Sequence, residues 1–127
     1  MRILHIDDDA DDRGLFLVAI KRVDPNIIHL EASSGVEAYA MLTADHMEHV
    51  DCIFLDINMP SLDGISLLRL LKDHPTLKSI PVYMHSTTSD PYEINIIEGL
   101  GGYFFPKCVD FPAYVTSLRK ILQPWMS

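Results

Sequence analysis

The sequence predicts an α/β fold: a doubly wound, five-stranded parallel sheet covered by helices on both faces. Three observations predict it. Five short apolar runs alternate with five helix-like segments across short connectors, a pattern that builds parallel sheets. The clearest run, Val50 to Asp56, is almost continuously apolar, as in a strand buried on both faces. The runs also end in chemically capable residues, namely Asp7, Asp8, Asp56, Ser86 and Lys107. Sites in open α/β sheets form outside the carboxyl ends of the strands.

The elements follow in order. Ile3 to Ile6 reads as the first strand and stops in an acidic burst, Asp7, Asp8, Asp9, Asp11 and Asp12. A helix follows, with Leu15, Val18, Ala19 and the stem of Arg22 expected on its apolar face. Asp24-Pro25-Asn26 is a turn, and Ile27 to Ala32 the second strand. Ser33 or Ser34 caps a helix from Gly35 to about Ala44, with Glu37 placed for a capping box if Ser34 is the cap.

After a polar connector the third strand delivers Asp56. The loop-formers Asn58, Pro60, Asp63 and Gly64 lead into a helix carrying Ile65, Leu67, Leu68, Leu70 and Leu71, ended by Pro75. Pro81 to His85 is the fourth strand. Asp90 caps the fourth helix with Pro91 at its first position, and Ile94 and Ile97 form its apolar face. Tyr103 to Phe105 is the fifth strand, closed by Pro106-Lys107. The last helix begins near Asp110, buries Phe111, Val115, Leu118 and Leu122, and is stopped by Pro124. Residues 1–127 therefore read as a single domain with nothing left for a second.

Composition narrows the function. A net charge of -8 disfavours nucleic acid and anionic membranes as direct partners and suits a cation. Cys52 lies inside an apolar strand, which fits a reduced core thiol. No apolar run approaches the length that spans a bilayer, and Arg2 leads straight into a strand without a signal-peptide pattern. The expectation is a soluble, cytoplasmic protein.

If the strands are parallel, Asp7, Asp8 and Asp56 meet at one sheet edge with Ser86 and Lys107. Clustered carboxylates repel, so a pKa must rise unless a cation neutralises them. Mg²⁺ fits, because it takes oxygen ligands and keeps waters that a phosphate can displace. A hydroxyl and an ammonium are donors for phosphoryl oxygens. A carboxylate can itself form an aspartyl phosphate.

Ile6-Asp7-Asp8-Asp9, Phe54 to Pro60, Asp63-Gly64, Pro81 to Ser86 and Pro106-Lys107 together resemble the receiver domain of two-component response regulators. The resemblance covers the whole chain in order. It implies the flavodoxin-like strand order 2-1-3-4-5 and a phosphorelay role without an output domain. Asp56 would accept a phosphoryl group from a sensor histidine kinase or a histidine phosphotransfer protein. Asp7, Asp8, Asp56 and the backbone carbonyl of Asn58 would hold Mg²⁺. Lys107 would pair with the carboxylate or phosphoryl oxygen. Ser86 and Phe104 would form the switch.

The face made by helix four, strand five and helix five would signal to a downstream protein target or form a homodimer. On this reading the chain is a phosphoacceptor and not an enzyme with an external substrate. Cys108 stands where the family often has Pro after the lysine, and Thr87 where a small residue is usual. Asn58 and Thr88 occupy positions that, by the resemblance, would tune dephosphorylation. Two rivals remain: a receiver fold that no longer uses phosphorylation, and a phosphohydrolase with its nucleophile at Asp7, from the Asp7-x-Asp9 spacing. A calcium loop is excluded because its glycine and glutamate positions hold Asp12 and Val18. His46, Glu48 and His49 read as a solvated connector, and His85 as packing.

Overall fold

The structure, a computed structural model, describes residues 1–59, 61–86, 90–107 and 110–126. Its strands are β1 (Arg2–Ile6), β2 (Ile28–Ala32), β3 (Cys52–Asp56), β4 (Val82–Ser86) and β5 (Tyr103–Pro106). All pair in parallel in one sheet of order β2-β1-β3-β4-β5. The crossovers are made by α1 (Ala10–Val23), α2 (Gly35–Leu42), α3 (Gly64–Asp73) and α4 (Pro91–Gly99). The chain ends in α5 (Phe111–Leu122) and a 3-10 turn at Gln123–Trp125. This is the predicted class and strand order.

Alternation along the strands builds two cores. Leu4, Ile6, Ile53, Leu55, Val82 and Met84 face α2, α3 and α4. Ile3, Cys52, Phe54 and Phe105 face α1 and α5. Every residue of β3 is buried, as the apolar run predicts for a central strand. Each helix starts on a side-chain cap: Asp9, Ser34, Asp63, Asp90 and Asp110 accept from backbone N–H groups of the first turn. Ser34 is thus the cap of α2, while the Glu37 carboxylate accepts from Ser33 Oγ at 2.9 Å.

Gly64 has a steric requirement. A Cβ there would lie 2.3 Å from the Asp56 carbonyl oxygen and 2.8 Å from Ile57 Cα, both backbone atoms that cannot yield. Only glycine lets α3 start directly against the end of β3.

Several expectations need correction. The buried face of α1 is Phe16, Ala19, Ile20 and Val23, whereas Leu15 and Val18 are 45% and 54% exposed. Both stripes are apolar at helical spacing, and only packing against β1 and α5 chooses between them. In α5, Tyr114 is buried while Phe111 is half-buried. Leu70 lies exposed on α3, and α2 ends at Leu42 instead of near Ala44. Tyr103, read as the start of the fifth strand, is 55% exposed at the sheet edge and stacks on Tyr83 across the β4–β5 pairing. Among the described residues no helix is long and apolar enough to cross a membrane.

Candidate functional site

Register places the site. Ile6 pairs with Leu55, so Asp7 and Asp56 leave the sheet side by side at its carboxyl edge. Asp56 in turn pairs with His85, and Ser86 with Pro106, which brings Lys107 to the same edge. A carboxylate oxygen from each of Asp7, Asp8 and Asp56 lies within 4.8 Å of the other two, the one such acidic or metal-ligating trio among the described residues.

Asp7 is fully buried. Its N–H donates to the Ala32 carbonyl at 3.1 Å, its Oδ1 accepts from Asp9 N–H at 2.9 Å, and Arg13 donates to its carbonyl at 2.7 Å. Asp56 is 7% exposed and accepts from Asn58 N–H at 3.4 Å, while Asp8 is exposed to solvent. The Lys107 backbone is tied to β4 by a 2.7 Å bond from its N–H to the Ser86 carbonyl. Its ammonium lies 2.9 Å from Asp12 Oδ2, 3.3 Å from Asp7 Oδ2 and 3.8 Å from Asp56 Oδ1.

Electrostatics follow from this crowding. Burial pushes the Asp56 carboxyl up to about 6; the Lys107 charge opposes that rise, and Asp7 adds to it. Burial also raises Asp7. Burial alone would lower Lys107, but its bond to Asp12 and the charges of Asp7 and Asp56 outweigh that and hold it above its ordinary value. An all-oxygen trio in which burial raises Asp7 and Asp56 suits a small hard cation, whose charge would offset the penalty.

The response regulator receiver domain family matches residues 3–119. The chain belongs to that family. This receiver domain is 34% identical over 91 residues to a gliding motility regulatory protein of Myxococcus xanthus, covering 72% of this chain and 11% of that protein. It is 29% identical over 94 residues to a chemotaxis protein CheY homolog of Campylobacter jejuni, covering 74% of this chain and 70% of that protein. It also spans 12% of a response regulator-like protein of Arabidopsis thaliana. Among solved structures, the phosphorylated cyanobacterial phytochrome response regulator RcpA superposes with a TM-score of 0.89 at 27% identity, covering 99% of this chain and 94% of that one. A receiver domain from Rhodospirillum rubrum superposes with a TM-score of 0.86 at 26% identity, covering 100% and 96%.

The other sequence-predicted residues are placed as follows. Ser86 closes β4 and is buried. Asn58 is exposed at the pocket rim. Phe104 pairs with Met84, is half-buried against the α3–α4 side, and lines a shallow cleft with Ile94, Glu98, Gly102 and Tyr103. Pro60, Thr87, Thr88 and Cys108 lie outside the described residues. His49 Nε2 stands 3.5 Å from Asp51 Oδ1, and His46, Glu48 and His49 form no ligand trio among the described residues.

Sequence reasoning missed two features of this receiver domain. One is Asp12, read only as part of the acidic burst; its place in the first turn of the helix that follows the strand-end carboxylates was the available signal. The other is a set of buried imidazoles beneath the pocket. His5 is fully buried, stacks on Phe16 at 4.0 Å between ring centres, and has Nε2 at 3.8 Å from Asp7 Oδ2. His85 stacks on Phe105 at 5.0 Å and Tyr114 at 5.5 Å, as its packing role predicts, and His29 lies 5.7 Å from Phe16. Both ring nitrogens of His5 and His85, and Nε2 of His29, lack a hydrogen-bond partner among the described residues.

Proposed function

We propose that this receiver domain is the phosphoacceptor of a histidine–aspartate relay, with Asp56 as the nucleophile. The observation that carries the reading is the surroundings of Asp56: a near-buried carboxylate at the end of the central strand, grouped with Asp7 and Asp8 and 3.8 Å from the Lys107 ammonium. An Asp56 Oδ–P bond forms as the N–P bond of the donor's phosphohistidine breaks, and the imidazole nitrogen keeps the electron pair. Hydrolysis returns the carboxylate and inorganic phosphate, with water supplying the incoming oxygen.

Asp7, Asp8, Asp56 and the Asn58 carbonyl are the residues that would hold Mg²⁺. When bound, that ion neutralises charge on the phosphoryl oxygens. Lys107 steadies the phosphoryl oxygens from the other side, and the Ser86 hydroxyl donates to one of them. The response is an inward turning of Phe104 as the Ser86 hydroxyl engages the phosphoryl group, read by a protein partner at the α4–β5–α5 face. Tyr92 and Tyr103, 73% and 55% exposed, lie on or beside that face, which a target or a second copy would cover. The donor is a sensor histidine kinase or a histidine phosphotransfer protein. The setting is the cytoplasm, and no external substrate is turned over. The phosphorylated form of the similar regulator RcpA supports the reading.

The test is intact-mass analysis after incubation with acetyl phosphate, with and without Mg²⁺. The expected result is a Mg²⁺-dependent phosphoryl adduct that Asp56→Asn abolishes. Absence of any adduct in the wild type overturns the reading in favour of a phosphorylation-independent module, and multiple turnover through Asp7 overturns it in favour of a phosphohydrolase.

A further inference from the structure

The nearest carboxylate to Lys107 is not one of the three grouped for a cation. Its Nζ donates to Asp12 Oδ2 at 2.9 Å, against 3.3 Å to Asp7 and 3.8 Å to Asp56. Asp12 and Lys107 are 95 residues apart in sequence, so the contact is made by the fold. The Asp12 side chain stands in the first turn of α1, 41% exposed, where the Asp9 cap accepts from its N–H at 3.3 Å and fixes the turn. The Lys107 side chain is 15% exposed, so the pair is partly shielded from water at the lysine end.

We propose that Asp12 is a positioning residue that holds the Lys107 ammonium in reserve, in competition with the phosphoryl group on Asp56. The inference rests on the phosphoacceptor reading and deepens it. A charge-assisted bond at 2.9 Å is strong, whereas 3.8 Å to Asp56 is beyond hydrogen-bond range. Lys107 therefore meets Asp56 loosely while its firmest bond is to α1. As the ammonium closes on a phosphoryl oxygen, the pull of Asp12 opposes the approach. Asp12 thus sets how tightly the lysine grips the aspartyl phosphate, and so how long the phosphate lasts. It also leaves the Asp56 carboxylate less closely paired before reaction.

A half-life cycle tests this with wild type, Asp12→Asn, Lys107→Ala and the double variant, each phosphorylated with acetyl phosphate and Mg²⁺ and followed by intact mass. Removing the competitor is expected to lengthen the aspartyl-phosphate half-life by about three- to tenfold. In the Lys107→Ala background the same change is expected to have less than about a twofold effect, because the residue acts through the lysine. A second readout needs no phosphate: the ¹⁵Nζ resonance of Lys107, assigned by its loss in Lys107→Ala, is expected to move in Asp12→Asn. Should Lys107→Ala fail to fold, Lys107→Met replaces it in the cycle.

An unchanged or shortened half-life in Asp12→Asn overturns the inference. So does equal lengthening in both backgrounds, which would mark a bulk charge effect. So does an unmoved ¹⁵Nζ signal. A wild type that takes up no phosphoryl group removes the proposed function and this inference together. An adduct whose lifetime ignores Asp12 removes the inference alone.

Discussion

His5 on β1 and Asp7 just past its end are both fully buried, yet they belong to regions that handle polarity in different ways. Asp7 looks into the pocket at the strand ends, where carboxylates gather with a lysine. His5 lies among rings under α1 and α5, where Phe16, His29 and His85 surround it. In the pocket, burial raises Asp56 to about 6 and leaves a charge imbalance that a cation could settle. Among the rings, burial lowers His85 to about 3 and places His5 well below its ordinary value, so both pack as neutral aromatics. A polar side chain held out of water therefore has two outcomes. A counter-ion at hand opposes the loss of charge, as Lys107 does for Asp56, whereas burial among stacked rings drives the loss, even with the Asp7 carboxylate 3.8 Å from His5.

The comparison breaks most readily at Phe16, which touches His5 and stands near both other imidazoles. Phe16→Ala is expected to cost about 3–5 kcal/mol in chemical denaturation, because it opens a cavity in a ring cluster that cannot collapse onto it.

A smaller effect separates the regions by pH. Asp56, with a raised folded-state value, contributes stability that is fully present below its ordinary value near 3.8 and is lost as pH rises through about 6. His85, with a lowered value, contributes stability that is present above 6.5 and is lost as pH falls toward about 3. In Mg²⁺-free urea titrations, Asp56→Asn is therefore expected to gain roughly 1–3 kcal/mol at pH 7.5 and little at pH 4. His85→Phe keeps the stacking on Phe105 and Tyr114 and is expected to flatten the acid limb instead. Loss of both contrasts would mean that the two regions are not electrostatically distinct.

The smallest effect concerns the outer stripe of α1. Leu15→Ser and Val18→Ser are expected to change stability by less than about 0.5 kcal/mol, since both side chains already face water. A loss of several kcal/mol at either would restore the face the sequence suggested.

Much of the candidate site was legible because its residues sit at the ends of apolar runs, and parallel strands must bring those ends together. That argument reached Asp7, Asp8, Asp56, Ser86 and Lys107 with no coordinates. It could not reach Asp12, whose place beside Lys107 depends on where the first turn of α1 comes to lie relative to the residue after β5. It could not rank the lysine's three partners either, because differences below 1 Å are set by packing. The imidazole cluster was hidden for a related reason. His5, His29 and His85 lie on three different strands, and no local pattern shows that all three meet around one phenylalanine.

Alternation, capping residues and turn chemistry are local, so the chain by itself determined five parallel strands, their helices and the edge that carries the carboxylates. Which stripe of α1 faces inward, which acid holds the ammonium and which histidines lose their charge were decided only when distant segments closed on one another. Those outcomes depend on burial and on contacts between side chains far apart in sequence, and neither quantity exists until the sheet and its two helical layers are assembled.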